Sequence, residues 1–192
     1  MKKIGITGGI GSGKTYVAAV FQSLGIPIFY SDIQSKKLMI SSEKLIKLLK
    51  EEFGNDIYKD SDLNKEKLSS IVFNDKSKLE KLNSLVHPIV KKEFNNWCKK
   101  QTSSYIIKEA AILFESNSHL GLDAVICISA PLELRKKRLL KRDNSTEKEI
   151  QNRIENQISQ EKKEKLSDYI IINDEKDLLL PQIIKIHEAL IR

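Results

Sequence analysis

Gly8, Gly13, Lys14 and Thr15 stand in the pattern Gly-x-x-x-x-Gly-Lys-[Ser/Thr]. These residue types at this spacing make a loop that wraps backbone N–H groups around phosphates. Glycines let the backbone come close, a lysine reaches the β- and γ-phosphates as a point charge, and a hydroxyl is placed for Mg²⁺. Gly9, Ile10, Gly11, Ser12, Gly13, Lys14, Thr15 and Tyr16 are therefore the candidate nucleotide-binding stretch. Lys14 is a candidate catalytic residue and Thr15 a candidate ligand for Mg²⁺. A second carboxylate-bearing candidate follows at Asp32.

Arginine is scarce, which gives its placement meaning. Arg135, Arg138, Arg142, Arg153 and Arg192 are the whole set, and four of the five fall between 135 and 153. In a chain that otherwise uses lysine, such a cluster marks a place where bidentate charge geometry matters.

The elements around these residues read as alternating strands and helices. Residues 3–7 form a short buried strand before the glycine loop, and Val17, Ala18, Val20, Phe21 and Leu24 mark the apolar face of the helix after it. Gly25 caps that helix and Ile26–Tyr30 is a second strand. Ser31 and Gln34 form a capping-box pattern that puts Asp32 in a first helical turn, just past a strand end, where open α/β sheets bind ligands. Residues 33–53 read as one helix, 54–64 as a loop and 63–73 as a further helix, followed by a turn over 74–77. A second capping box, Ser77 with Glu80, opens a helix that His87-Pro88 should interrupt. Strands follow at 104–108, 124–129 and 168–173. Helices run from Pro131 to Arg142, from a third capping box at Thr146 and Glu149, and from 174 to 192, with a break at 143–146 between the first two. This is an α/β chain: a P-loop NTPase fold with a five-stranded parallel sheet, flanking helices, a helical substrate-binding insert and a lid. The expected division is a core over about 1–32, 104–134 and 167–192, a helical acceptor subdomain over about 33–103 and a lid over about 135–166.

Composition narrows the classes. The chain has 192 residues and a formal net charge of +7, but its lysines are scattered among acids as on solvated helices. No nucleic-acid partner is therefore expected. No stretch approaches the length of a membrane span, so none is expected, and with a strand opening within the first three residues no signal peptide is expected. Cys98 and Cys127 match no metal or redox spacing and suit a reducing cytoplasm. A monomer or weak homo-oligomer is expected.

A GTPase would show Asp-x-x-Gly, and no aspartate stands three residues before any glycine. An ordered set of motifs resembles the dephospho-CoA kinase family along nearly the whole chain. It runs through Thr7–Lys14, Asp32, Leu85-Val86-His87-Pro88, Leu113-Phe114-Glu115, Arg142-Asp143, Arg153-Ile154 with Gln157, Lys163, and Asp168-Tyr169 leading to Asn173. The resemblance implies Mg²⁺-dependent transfer of the γ-phosphoryl group of ATP to the ribose 3′-hydroxyl of dephospho-CoA. It makes Asp32 the carboxylate that accepts or orients the hydroxyl proton, and a second candidate in the metal shell. Arg142, with Arg153 and Lys163, would close over the phosphates, and Asn173 would meet the adenine. His87, Leu113, Phe114, Glu115 and Arg153, with Asp32, would face the acceptor. Where this family often has a further aspartate, Tyr30 stands, and Ala111-Ile112-Leu113 stands in place of Pro-Leu-Leu. Two other readings share the loop: a nucleoside or nucleoside-monophosphate kinase, and a non-enzymatic nucleotide-dependent nucleic-acid-binding protein.

Overall fold

The computed structural model describes residues 1–59, 62–72, 75–143 and 146–192. Asp60, Ser61, Phe73, Asn74, Asn144 and Ser145 lie outside the described residues, and with them parts of the expected 54–64 loop, 63–73 helix, 74–77 turn and 143–146 break. The chain divides into two compact units: residues 1–30 with 101–192, and residues 31–100.

The first unit is built on β1 (Lys2–Gly8), whose Ile4 and Ile6 are fully buried. An apolar run of this kind suits a strand covered on both faces. β1 pairs in parallel with β5 (Tyr105–Glu109) on one side and β6 (Ala124–Ser129) on the other. β2 (Ile28–Tyr30) and β7 (Tyr169–Ile172) complete the five-stranded sheet in the order β2-β5-β1-β6-β7. α1 (Lys14–Ser23) and α9 (Leu179–Ile191) cover one face, where Val17, Ala18, Phe21, Ile183, Ile186 and Leu190 join Ile4, Ile6, Ile107, Ile126 and Ile128 in one core. α6 (Leu132–Asp143), α7 (Glu147–Glu155) and α8 (Gln160–Lys165) lie between β6 and β7 in the chain. The last helix starts later than expected. Asp174 accepts hydrogen bonds from the N–H groups of Lys176 and Asp177, and this turn holds the chain out of the helix.

The second unit holds α2 (Ser31–Ser41), α3 (Glu43–Phe53), α4 (Lys65–Val72) and α5 (Lys76–Cys98). The single helix expected over 33–53 is two, because Ser42 leaves helical geometry and its hydroxyl caps α3 at Leu45 N–H, 3.4 Å. The expected loop carries a 3₁₀ turn (Asn55–Ile57) and a short antiparallel pair, β3 (Tyr58–Lys59) with β4 (Asp62–Leu63). Ser31 is not a cap: it belongs to α2, and its buried hydroxyl has no hydrogen-bond partner. Nor is Ser77, because Asp75 stands earlier and accepts from Lys78 N–H at 3.1 Å. α5 also runs through Pro88 without interruption. Pro88 removes one backbone donor, but Val86, Val90 and Phe94 are buried on both sides of it, and α5 packs against α2, α3 and α4. That continuous packing outweighs a local proline cost of about 3 kcal/mol.

Candidate active site

The phosphate loop joins β1 to α1 as the sequence predicts. Gly13 sits left-handed, at φ 95°, immediately before the helix, and a Cβ there would collide with the Asn173 amide. Gly11 is also left-handed, at φ 81°, and a Cβ would lie 2.8 Å from the Arg135 carbonyl oxygen. Lys14 is nearly buried, and its Nζ donates to the Gly8 and Gly9 carbonyls at 3.1 and 3.3 Å. Thr15 and Tyr16 are exposed at the first turn of α1, where backbone N–H groups and the helix dipole favour an anion.

The loop is held from outside by residues far along the chain. Gly9 N–H donates to Gln160 Oε1 and Ile10 N–H to Gln157 Oε1, each at 2.9 Å. Asn173 Nδ2 donates to the Ser12 carbonyl at 2.7 Å, and Arg138 Nη2 donates to Asn173 Oδ1 at 3.2 Å. Asn173 is thus built into the loop, with both ends of its amide engaged. Arg135 packs over Gly9 and Gly11 and is 6 % exposed. Its Nε has no hydrogen-bond partner, and burial lowers its pKa, with Glu161 and Glu164 opposing that shift.

Beside the loop lies a second polar cluster. Lys163 is fully buried, with its Nζ 2.8 Å from Glu115 Oε1 and 2.8 Å from the Ala111 carbonyl. Lys163 is therefore engaged with Glu115 here and not extended over the phosphate loop as expected. Glu115 Oε1 also accepts from Ile158 N–H at 3.0 Å, while its Oε2 is buried with no hydrogen-bond partner. Leu113 and Phe114, expected at the acceptor, pack with Ala110 and Val125 in a buried apolar cluster. Cys127 is buried in β6 and its thiol is pushed up to about 11 by that burial, which keeps it neutral.

Arg142 and Arg153 are exposed on α6 and α7. In the other unit Asp32 is exposed in the first turn of α2, as the sequence predicts, and His87 is half-buried within α5. Arg135, Arg138 and Gln160 escaped the sequence reading as named site residues. The arginine cluster signalled the first two; Gln160 carries no local signal beyond standing three residues after Gln157.

Comparison with known proteins adds what geometry alone does not. A family model described as dephospho-CoA kinase matches residues 2–178. A dephospho-CoA kinase of Bacteroides fragilis (strain YCH46) is 37% identical over 185 residues, covering 96% of this chain and 90% of that protein. One from Porphyromonas gingivalis is 36% identical over 193 residues, covering 98% and 94%. A solved structure from Thermus thermophilus superposes with a TM-score of 0.81 at 28% identity, covering 98% of this chain and 95% of that one.

Proposed function

The chain belongs to the dephospho-CoA kinase family, and we propose that it phosphorylates the ribose 3′-hydroxyl of dephospho-CoA with ATP, giving coenzyme A and ADP. The observation that carries this reading is the phosphate loop, held in shape by Lys14, Gln157, Gln160 and Asn173, in a chain similar to these kinases over 96% of its length. The new bond joins the 3′-oxygen to the γ-phosphorus. The bond from that phosphorus to the β–γ bridging oxygen breaks, and the hydroxyl proton passes to Asp32.

Lys14 and the loop N–H groups face the β- and γ-phosphates and stabilise negative charge that spreads as the phosphoryl group moves. Asp32 is exposed in the first turn of α2, and its carboxylate accepts the proton. Arg142 and Arg153 close on the phosphates, and His87 and Glu115 orient the acceptor. Thr15 offers a hard oxygen at the loop mouth, and the described residues hold no group of three or more His, Cys, Asp or Glu able to keep a metal alone. That donor set fits Mg²⁺ arriving with the nucleotide, with Thr15 as its protein ligand and Asp32 in its shell. Bound Mg²⁺ neutralises charge on the β- and γ-oxygens. Among the described residues no helix is long and apolar enough to cross a membrane. The partners are small molecules, the chain works in the cytoplasm as a monomer or weak homo-oligomer, and the basic surface serves no nucleic acid.

The test is ADP release from Mg-ATP with dephospho-CoA, adenosine, AMP, CMP or no acceptor. Turnover is expected with dephospho-CoA, and Asp32→Asn should lower it by about 10²- to 10⁴-fold. Turnover with a nucleotide acceptor instead would keep the fold and overturn the named reaction. Equal release without acceptor would overturn the kinase reading.

A further inference from the structure

We infer that Gln157 and Gln160 are positioning residues for phosphoryl transfer, setting the shape of the phosphate loop from its outer side. This rests on the loop being the nucleotide site.

The two side chains are struts with both ends occupied. Their carbonyl ends accept from the loop, Gln157 from Ile10 N–H and Gln160 from Gly9 N–H, each at 2.9 Å. Their amide ends reach the sheet. Gln157 Nε2 donates to the Ala111 carbonyl at 3.3 Å, just past β5, and Gln160 Nε2 donates to the Ile128 carbonyl at 3.3 Å, within β6. β1, which leads into the loop, lies between those two strands. Each glutamine therefore ties the loop to one neighbour of its own strand. The anchors are themselves fixed: Gln160 Nε2 also donates to Glu164 at 3.0 Å, and the Ala111 carbonyl also accepts from the buried Lys163 paired with Glu115.

This divides the work of the loop amides. Gly9 and Ile10 spend their N–H groups on the glutamines, and Ser12 N–H donates to the Gly9 carbonyl at 3.1 Å. Among the described residues the N–H groups of Gly11 and Gly13 meet no protein acceptor, so these remain for an anion. Backbone donors in such a loop need partners. Without the glutamines, Gly9 and Ile10 N–H would seek others, and the loop would have to be ordered by the nucleotide at a cost in affinity. The pair also lies where α7, which carries Arg153, runs into α8, which carries Lys163. The segment that ends the proposed lid is the one that braces the loop.

The experiment has two parts. In the intact wild-type chain, amide exchange followed by ¹⁵N–¹H NMR should show Gly9 and Ile10 protected and Gly11 and Gly13 exchanging faster. In Gln157→Leu and Gln160→Leu, Mg-ADP should bind about tenfold more weakly, as for one lost hydrogen bond. KM for ATP should rise in step, KM for dephospho-CoA should hold within about twofold, and the exchange of Ile10 or Gly9 respectively should accelerate. A merely structural role would lower Tm without splitting the two KM values. Unchanged Mg-ADP affinity in folded variants, or Gly9 and Ile10 exchanging as fast as Gly11 in the wild type, would overturn the inference. The wild-type exchange decides even if the variants do not fold. A wild-type chain that fails to bind Mg-ADP would instead overturn the nucleotide-site reading.

Discussion

Lys163 shows how much of this site rests on single buried groups. Its side chain is fully buried, and its charge is met by Glu115 Oε1 and the Ala111 carbonyl, both at 2.8 Å. A buried ion pair adds little over an apolar pair of the same shape, yet removing one partner strands the other charge. Lys163→Met is therefore expected to cost about 3–5 kcal/mol. That corresponds to a Tm roughly 6–20 °C lower for a chain of this size. Glu115→Gln with Lys163→Met should recover much of the loss, because no buried charge is left alone. Thermal unfolding followed by circular dichroism checks this; a double variant no more stable than Lys163→Met would mean the pair is not the source of the cost. The same contact explains why Lys163 was misread. A lysine in a charged helical stretch looks solvated, and only the fold brings Glu115, 48 positions earlier in the numbering, against it.

Elements were legible where their signals are local. α7 begins as its capping box predicts: Thr146 Oγ1 accepts from Glu149 N–H at 3.3 Å and Glu149 Oε2 accepts from Thr146 N–H at 2.7 Å. Thr146→Ala should cost about 1 kcal/mol of helix stability. Hydrogen exchange should show α7 opening more readily while β1 and β5 stay as protected as before. The backbone and hydroxyl of Thr146 hold the Glu149 carboxyl below its ordinary 4.5. A lowered folded pKa stabilises above the unfolded value and is lost as pH falls through the folded one, so α7 should loosen on acidification below about 4.5 and not on raising the pH. Exchange in α7 that is flat through the acid range would exclude this box as the pH-dependent contact. The same pattern failed at Ser31 and Ser77 because a capping box is only a permission. Ser31 was drawn into α2 and buried, and Asp75 took the capping position two residues before Ser77. The phosphate loop was legible because all its residues are contiguous. Its buttress of Arg135, Gln160 and Asn173 was not, because those contacts cross more than a hundred residues of sequence.

At the scale of the molecule, a nucleotide that binds only the folded chain must stabilise it. With Mg-ADP at a hundred times its Kd, linkage adds about 2.7 kcal/mol. For a chain near this length that raises Tm by roughly 5–11 °C. Lys14→Ala removes the ammonium that lies on the Gly8 and Gly9 carbonyls and that the proposed function sets against the phosphates, so its shift at the same Mg-ADP concentration should shrink to a small fraction of that. The formal charge of +7 supplies a control, since unspecific attraction of a polyanion to a basic surface weakens steeply with salt. A specific loop site keeps most of its Tm shift from 50 to 300 mM salt, as far as the Lys14 charge is screened little inside its nearly buried setting. Inorganic triphosphate at equal concentration should give a smaller shift that fades over the same range. Equal shifts for wild type and Lys14→Ala, both vanishing with salt, would place the nucleotide on the lysine-rich surface and not in the loop.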